Sequence, residues 1–358
     1  LLKRWLRDLL NEPPNIAAAR VILPVIRVKG FLVRVLVTGG SGYVGSSTVR
    51  ELASAGHEVL IYDNLSTGHR KLSKGFELIE GEIADSEKLR ACMARVDAVI
   101  HLAASTYVGE SVTNPRKYFR NNVESALNLM DVVLESGVRI FVFSSTCAVY
   151  GIPAQLPIIE STPKDPVNPY GVTKLFFERV LSAYAASHGL RYAALRYFNA
   201  AGAHPSGEIG EIHDPETHLI PLAIRAALGS GPPLTVLGSD LETPDGTSIR
   251  DYVHVADLAS AHRKALLHLT SGGPSLTLNL GTGKGTSIAE VLHMIEDVLG
   301  RKVPHIFASP RPGDPPVLFT DPRQAREILG WEAQFDLRQV IEGACRWEEQ
   351  LPGFLSTP

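Results

Sequence analysis

The chain has 358 residues, a formal net charge of −3, 44% hydrophobic and 20% charged side chains, which is globular composition with material for a sizeable core in one or two domains. There is no basic excess of the kind a nucleic-acid partner calls for, and no apolar run reaches the ~20 residues of a membrane span. Three scattered cysteines (Cys92, Cys147, Cys345) are too few for a disulfide framework or a zinc site and read as free thiols of a reducing, cytoplasmic compartment.

Residues 1–31 stand apart. Leu1 to Leu10 pattern as a short cationic amphipathic helix, with Lys3, Arg4 and Arg7 against Leu2, Trp5, Leu6 and Leu9, ended by Pro13-Pro14. Asp8 and Glu12 argue against a transit peptide, so 1–31 is read as an N-terminal extension outside the fold. The regular pattern begins at Leu32 to Val37, a β-rich run of the kind a buried parallel strand requires, which feeds into Thr38-Gly39-Gly40-Ser41-Gly42-Tyr43-Val44-Gly45. A helix over Ser46 to Ala55 and a strand over Glu58 to Tyr62, closed by Asp63, complete the unit. Glycines at 39, 42 and 45 permit a tight turn, close approach of a pyrophosphate and tight helix packing. The carboxylate of Asp63, about 20 residues on, suits a ribose hydroxyl and repels a 2′-phosphate. The unit therefore predicts a bound dinucleotide, NAD rather than NADP.

The alternation continues through a strand at Phe76 to Glu80, a helix at Ser86 to Val96, a strand at Ala98 to Leu102, a long helix from Pro115 to Ser136 and a strand at Ile140 to Ser145. This predicts an α/β fold with a doubly wound parallel sheet, in which ligands sit at the carboxyl ends of the strands. A Pro-rich connection then leads to Tyr170, and a helix over Leu175 to His188 precedes a strand at Arg191 to Tyr197. Beyond residue 200 the alternation lapses, leaving a helix (Ile220 to Leu228) and a short strand (Leu234 to Leu237); it returns at Val255 to Leu269 and Leu276 to Leu280 and ends in helices from Thr286 to Leu299, Pro322 to Leu329 and Leu337 to Glu349. The expected division is 32–200 plus 255–282 as the dinucleotide domain, and 201–254 plus 283–350 as a smaller, discontinuous α+β substrate domain.

Tyr170 and Lys174 lie four residues apart, on one helical face. Bringing a phenol from ~10 to ~7 requires stabilising its anion by roughly 4 kcal/mol, and one ammonium at about 4 Å in an effective dielectric of ~20 contributes that much.

Together the glycine loop, Phe143-Ser144-Ser145-Thr146-Cys147-Ala148-Val149-Tyr150-Gly151, Tyr170-x-x-x-Lys174 and Leu195-Arg196-Tyr197-Phe198-Asn199 resemble the extended short-chain dehydrogenase/reductases. Asp245-Gly246-Thr247-Ser248-Ile249-Arg250-Asp251-Tyr252-Val253-His254 and Arg311-Pro312-Gly313-Asp314 narrow the resemblance to the UDP-glucose (UDP-galactose) 4-epimerases, over about Arg34 to Trp347. The resemblance implies tightly bound NAD and transient oxidation of a UDP-sugar at C4. Tyr170 would be the base, Lys174 its tuning charge and Thr146 the hydroxyl on the 4-oxygen. It implies NAD contacts from Gly39, Gly42, Tyr43, Val44, Gly45, Asp63, Asn64, Glu82, Ile83, Leu102, Ala103, Ala104, Asn122, Ser144 and Tyr197 besides Tyr170 and Lys174. For the UDP-sugar it implies Asn199, His218, Leu219, the guanidinium forks of Arg250 and Arg311, Asp314 and Leu318, along with Thr146 and Tyr170. A homodimer is implied as well.

Dehydrating relatives carry an Asp-Glu pair where Cys147-Ala148 stand, which disfavours dehydration, and Cys147 is read as packing. Leu318 is intermediate in size at a position that separates hexose from N-acetylhexosamine enzymes, so UDP-N-acetylhexosamines and UDP-pentoses stay open as substrates. A non-catalytic NAD sensor is the alternative from another class. His213-Asp214-Pro215-Glu216-Thr217-His218 lacks the helical spacing of a metal motif and the resemblance implies none there, so no metal is expected. Gly281 to Ser287 imitates a phosphate loop but has glycine after its lysine.

Overall fold

The computed structural model describes residues 32–310 and 315–356, so the readings made on 1–31 lie outside it. The strands in chain order are β1 (Arg34–Thr38), β2 (Glu58–Asp63), β3 (Glu77–Glu80), β4 (Ala98–His101), β5 (Ile140–Thr146), β6 (Arg191–Tyr197), β7 (Asn199–Ala201), β8 (Leu234–Leu237), β9 (Ile249–Arg250), β10 (Tyr252–His254), β11 (Leu276–Leu280), β12 (Thr286–Ser287), β13 (His305–Ala308) and β14 (Val317–Leu318). Seven of them form one parallel sheet in the order β11-β6-β5-β4-β1-β2-β3. The order reverses between β1 and β4. That reversal opens a crevice at the carboxyl ends of the two strands, where open α/β sheets take their ligands.

The helices are α1 (Tyr43–Ser54), α2 (Ser86–Met93), α3 (Val108–Thr113), α4 (Pro115–Phe119), α5 (Ala126–Glu135), α6 (Pro169–His188), α7 (Leu219–Leu228), α8 (Val255–Thr270), α9 (Ile288–Leu299), α10 (Arg323–Leu329) and α11 (Leu337–Ser356). Each sheet face carries its own core. One gathers Val35, Val37 and Ile100 with Leu258, Leu266 and Trp331, and the other Leu36, Val99 and Phe141 with Leu129, Phe177 and Leu181. Burial on both faces explains why these strands read as continuous apolar runs. The fold class expected from the sequence is the one observed.

Two expected elements differ in ways that matter for the site. The long helix expected over 115–136 is broken by a π-helical segment, Arg120–Ser125. Its extra residue re-aims the buried Asn122, whose side chain accepts from Ser105 N (2.8 Å) and donates to Ser105 O (2.9 Å) and Thr173 Oγ1 (3.2 Å). Helix α6 reaches back beyond Leu175 to Pro169, in keeping with the shared helical face expected of Tyr170 and Lys174, because Asn168 Oδ1 accepts from Gly171 N at 2.9 Å and proline suits the first helical position. Tyr170 therefore sits in the first turn.

Outside the sheet, α7, α9 and α11 pack around a third core that includes Ile224, Val236, Leu292, Ile295 and Ile341. The chain leaves the sheet after β6 and returns through β10, which pairs in parallel with β7. Arg250 on β9 pairs with Leu318 on β14.

One buried group gives a pH prediction. His262 on α8 is fully buried, its Nε2 has no hydrogen-bond partner, and burial pushes its pKa down to about 4. Since the unfolded value is ~6.5, the neutral ring contributes stability that is present above pH 6.5 and lost as pH falls through 4. Between pH 7.5 and 5 the wild type should lose about 2 kcal/mol more than His262→Met, read by urea unfolding at the two pH values.

Candidate active site

The glycine loop fits a dinucleotide. Gly42 is the N-cap of α1; no side chain caps that terminus and no acid lies in its first turn, so its free N–H groups suit a pyrophosphate. Gly39 has φ +75°, and a Cβ there would stand 2.6 Å from Ala103 N and 2.9 Å from Leu102 C, so the backbone of Leu102 and Ala103, just before Ala104, borders the loop. A Cβ at Gly45 would stand 2.0 Å from Gly39 O, whereas one at Gly42 meets only Gly39 O at 3.4 Å, an ordinary contact. Gly42→Ala is thus expected to fold like the wild type yet lose bound NAD, because its methyl intrudes only on the ligand side. Gly45→Ala should lower stability itself, by about 1–3 kcal/mol. Nucleotide released on denaturation, together with thermal unfolding, separates the two.

Asp63, at the end of β2, is buried; its carboxylate accepts from Ser41 N and Leu65 N, both at 2.9 Å. Burial raises its pKa against those two bonds. Asn64 Nδ2 donates to both Glu82 carboxylate oxygens (3.0 and 3.2 Å), so Asn64 and Glu82 form one edge, beside Ile83. Tyr43 is the first residue of α1 and its hydroxyl donates to Gly202 O; Val44 follows it.

The chemistry-bearing residues converge at the ends of β5 and β6. Thr146 pairs in register with Tyr197, and Ser144 Oγ is 2.6 Å from Tyr197 Oη. Lys174 is buried, donates from Nζ to Ser144 O at 2.8 Å, and lies 5.9 Å from the centroid of the Tyr170 ring. Thr146 Oγ1 accepts from Ala148 N at 3.1 Å, and its hydroxyl is close enough to Tyr170 to favour the phenolate.

The electrostatics differ from the simple expectation of a lysine-tuned phenol. Burial pushes the Tyr170 phenol well above its ordinary value, with Tyr197, Cys147 and Tyr118 acting in the same direction. Burial also pushes the Lys174 ammonium down to about 7, partly offset by Glu178. Burial thus outweighs the Thr146 hydroxyl at the phenol and leaves the lysine only partly charged at pH 7, so these side chains alone do not bring the Tyr170 pKa down to neutral pH.

Of the residues expected to meet the UDP-sugar, Asn199 opens β7, its N–H donating to Asp251 O at 2.9 Å. Arg250 donates from Nη1 to Ile249 O (2.8 Å) and Pro316 O (3.2 Å). Leu318 packs with Cys147 and Leu175 against Val149, Tyr150, Ile158 and Phe198. Burial pushes the Cys147 thiol up to about 12, which keeps it protonated and fits its reading as packing. Leu219 begins α7, and His218 caps that helix with its ring turned toward Glu211 and Glu216. Arg311 and Asp314 lie outside the described residues.

Sequence reasoning missed the buried pair behind this site. Glu178, one turn beyond Lys174 on α6, accepts from Arg196 Nε (2.8 Å), Arg196 Nη2 (2.5 Å) and Ser145 Oγ (2.5 Å). Arg196 Nη1 also donates to Tyr150 Oη at 2.8 Å, and that hydroxyl meets Asn279 Oδ1 at 2.6 Å. The available signal was a charge inside the buried run Ala193-Ala194-Leu195-Arg196, which demands a partner.

Comparison with known proteins agrees with this geometry. Residues 35–281 match the NAD dependent epimerase/dehydratase family. The UDP-glucose 4-epimerase of Azospirillum brasilense is 48% identical over 322 residues, covering 89% of this chain and 92% of that protein. The crystal structure of UDP-glucose 4-epimerase from Brucella ovis in complex with NAD is 50% identical with a TM-score of 0.85, covering 87% of this chain and 97% of that one. That of Stenotrophomonas maltophila, with bound NAD and formylated UDP-arabinopyranose, is 38% identical with a TM-score of 0.88, covering 90% and 99%. With a glycine loop, a Thr146–Tyr170–Lys174 cluster and relatives matched nearly end to end, this chain belongs to the NAD dependent epimerase/dehydratase family.

Proposed function

We infer that the chain catalyses the NAD-dependent 4-epimerisation of UDP-hexoses, interconverting UDP-glucose and UDP-galactose through a transient 4-keto sugar. The observation that carries this reading is the convergence of Thr146, Tyr170 and Lys174 beside the glycine loop, in a chain about half identical to enzymes of that activity.

Bound NAD supplies a reversible acceptor for the C4 hydrogen and a positive ring that adds to Lys174 in lowering the Tyr170 phenol. Tyr170 removes the proton of the sugar 4-hydroxyl and later returns one, while Thr146 holds the 4-oxygen and relays the proton between them. Lys174, fixed by Ser144 O, orients the nicotinamide ribose and contributes its charge when protonated. Gly39, Gly42, Tyr43, Val44 and Gly45 cradle the pyrophosphate, and Asp63 with Asn64, Glu82 and Ile83 takes the adenosine end. Leu102, Ala103, Ala104, Asn122, Ser144 and Tyr197 line the nicotinamide half. Asn199, His218, Leu219, Arg250, Arg311 and Asp314 hold the nucleotide diphosphate, and Leu318 bounds the sugar. Residues 32–200 plus 255–282 form the NAD domain and 201–254 plus 283–350 the UDP-sugar domain. A cytoplasmic homodimer is part of the same reading: the exposed Val112, Phe119, Val172 and Phe176 on α3, α4 and α6 offer apolar surface for a second copy.

The deciding experiment is proton NMR of UDP-galactose incubated with purified protein and no added cofactor. Appearance of UDP-glucose supports the reading and reports retained NAD at once. If no UDP-sugar is turned over while NAD is released on denaturation, the sensor reading replaces it. A second substrate reading rests on Leu318, a residue of intermediate size at the position that the resemblance links to the choice between hexoses and N-acetylhexosamines; relative rates on UDP-glucose and UDP-N-acetylglucosamine decide it.

A further inference from the structure

The segment between β7 and α7 gathers four side chains that the reaction above leaves unused or uses only in part. Glu211 Oε1 lies 3.1 Å from His213 Nδ1 and 2.7 Å from His218 Nδ1, while Glu216 carboxylate oxygens lie 3.6 Å from His213 Nδ1 and 3.0 Å from His218 Nδ1. One donor atom from each of the four falls within 4.8 Å of the others. The two carboxylate side chains are almost fully buried, Glu211 at 7% exposure and Glu216 at 2%. Two atoms aimed into the cluster, His213 Nδ1 and Glu216 Oε2, are buried without a well-aligned hydrogen bond, although Glu211 Oε1 lies 3.1 Å from the first and Arg225 Nη2 3.9 Å from the second. Buried polar atoms are otherwise almost always satisfied. The expectation of no metal counts only residues 213–218 and misses Glu211.

We propose that Glu211, His213, Glu216 and His218 form a structural site for one divalent transition-metal ion of the zinc type. Two imidazole nitrogens and two carboxylate oxygens are a donor set for zinc. Metal–ligand distances of ~2.0–2.2 Å put tetrahedral ligands about 3.3–3.5 Å apart; the contacts of 2.7 to 3.6 Å fall around that value, and the widest pair, within 4.8 Å, closes on an ion by side-chain shifts on the order of 1 Å. The ion balances the two carboxylates and gives His213 Nδ1 and Glu216 Oε2 a partner. The surrounding groups hold the ligands in place. Glu216 Oε1 accepts from Thr217 N (2.7 Å) and His218 N (2.9 Å), which leaves Oε2 for the metal. Tyr43 sets its ring edge-on to His213 at 6.4 Å. Such outer contacts fix ligand orientation. The ion would tie the segment after β7 to the first turn of α7, where His218 and Leu219 stand, and so brace the UDP-sugar side without touching the reacting carbon.

The test uses the full chain, treated with chelator, dialysed, and then equilibrated with zinc or cobalt(II) alone. One zinc per chain by elemental analysis, a tetrahedral cobalt(II) visible spectrum displaced by zinc, and a melting temperature raised by zinc are expected. Glu211→Gln and His213→Gln should each weaken binding by more than the roughly 10–100-fold that loss of an outer-sphere partner costs. Substoichiometric metal with no tetrahedral spectrum in the wild type overturns the site and leaves a proton-held cluster, as does metal retained undiminished in both variants. Should the variants fail to fold, the wild-type cobalt spectrum and zinc stoichiometry still decide. NAD released from the same samples on denaturation is read separately, so failure of this site is distinguishable from failure of the proposed reaction.

Discussion

Tyr170→Phe is expected to keep its NAD and lose roughly 10²–10⁴-fold in kcat, the range a positioned general acid–base supplies. The phenol stands beside the Thr146 hydroxyl, and it is buried, so water has little access to replace it. Removing the hydroxyl deletes one oxygen without opening a cavity, and the glycine loop and Asp63 are untouched. The measurement is turnover of UDP-galactose by proton NMR, paired with the NAD released on denaturation. Wild-type turnover in the variant would sink the assignment of Tyr170 as the base; loss of NAD together with turnover would instead mean that the ring holds the cofactor.

Arg196→Met should have the largest effect on stability, about 3–5 kcal/mol, because it leaves Glu178 charged and unpaired in a dry interior. Both members of the pair are buried, at 6% and 7% side-chain exposure, so solvent screening does little to soften the loss. Adding Glu178→Leu in the same chain should recover most of it, since two apolar side chains of similar volume carry no desolvation penalty. The double variant carries a second consequence. Glu178 is the one carboxylate whose charge favours the protonated form of Lys174. With that charge removed, the lysine should deprotonate at lower pH, and the activity profile should shift even where folding is restored. Urea unfolding and a pH–kcat profile of the three proteins separate structure from tuning. A double variant as unstable as Arg196→Met would show that the pair is not what the interior depends on.

How much was legible follows from how far each interaction reaches along the chain. Strands β1, β6 and β11 could be read because a parallel strand buried on both faces is apolar over most of its length, as Val35, Leu36 and Val37, or Ala193, Ala194 and Leu195, are. Strands β9, β12 and β14 could not: each has two residues, and the pairs Arg250 with Thr286 and Arg250 with Leu318 are set by tertiary contact across long separations. Strand β13 was missed because all four of its residues are exposed and carry no alternation of burial. The π-helical segment at Arg120–Ser125 leaves no pattern of its own; it exists because Asn122 must reach both Ser105 and Thr173. In the site, Tyr170 and Lys174 were visible because one helical turn fixes their spacing. Glu178 and Arg196 sit on different elements, and Glu211 lies just outside the 213–218 window, so local pattern could not join them to their partners.

The parallel pairing of β7 with β10 places Asn199 against Tyr252 and Ala201 against His254. The chain thus departs from the hydride-transfer half and re-enters it through two strands held about 4.8 Å apart. The span between them is anchored at this base and completed by later segments, since β8 pairs with β13, β9 with β12 and β14, and α7 packs with α9 and α11. Changes of length or sequence within that span need not disturb the register of Thr146 and Tyr197, so a lineage can remodel the part that recognises a sugar while the oxidising machinery is inherited whole.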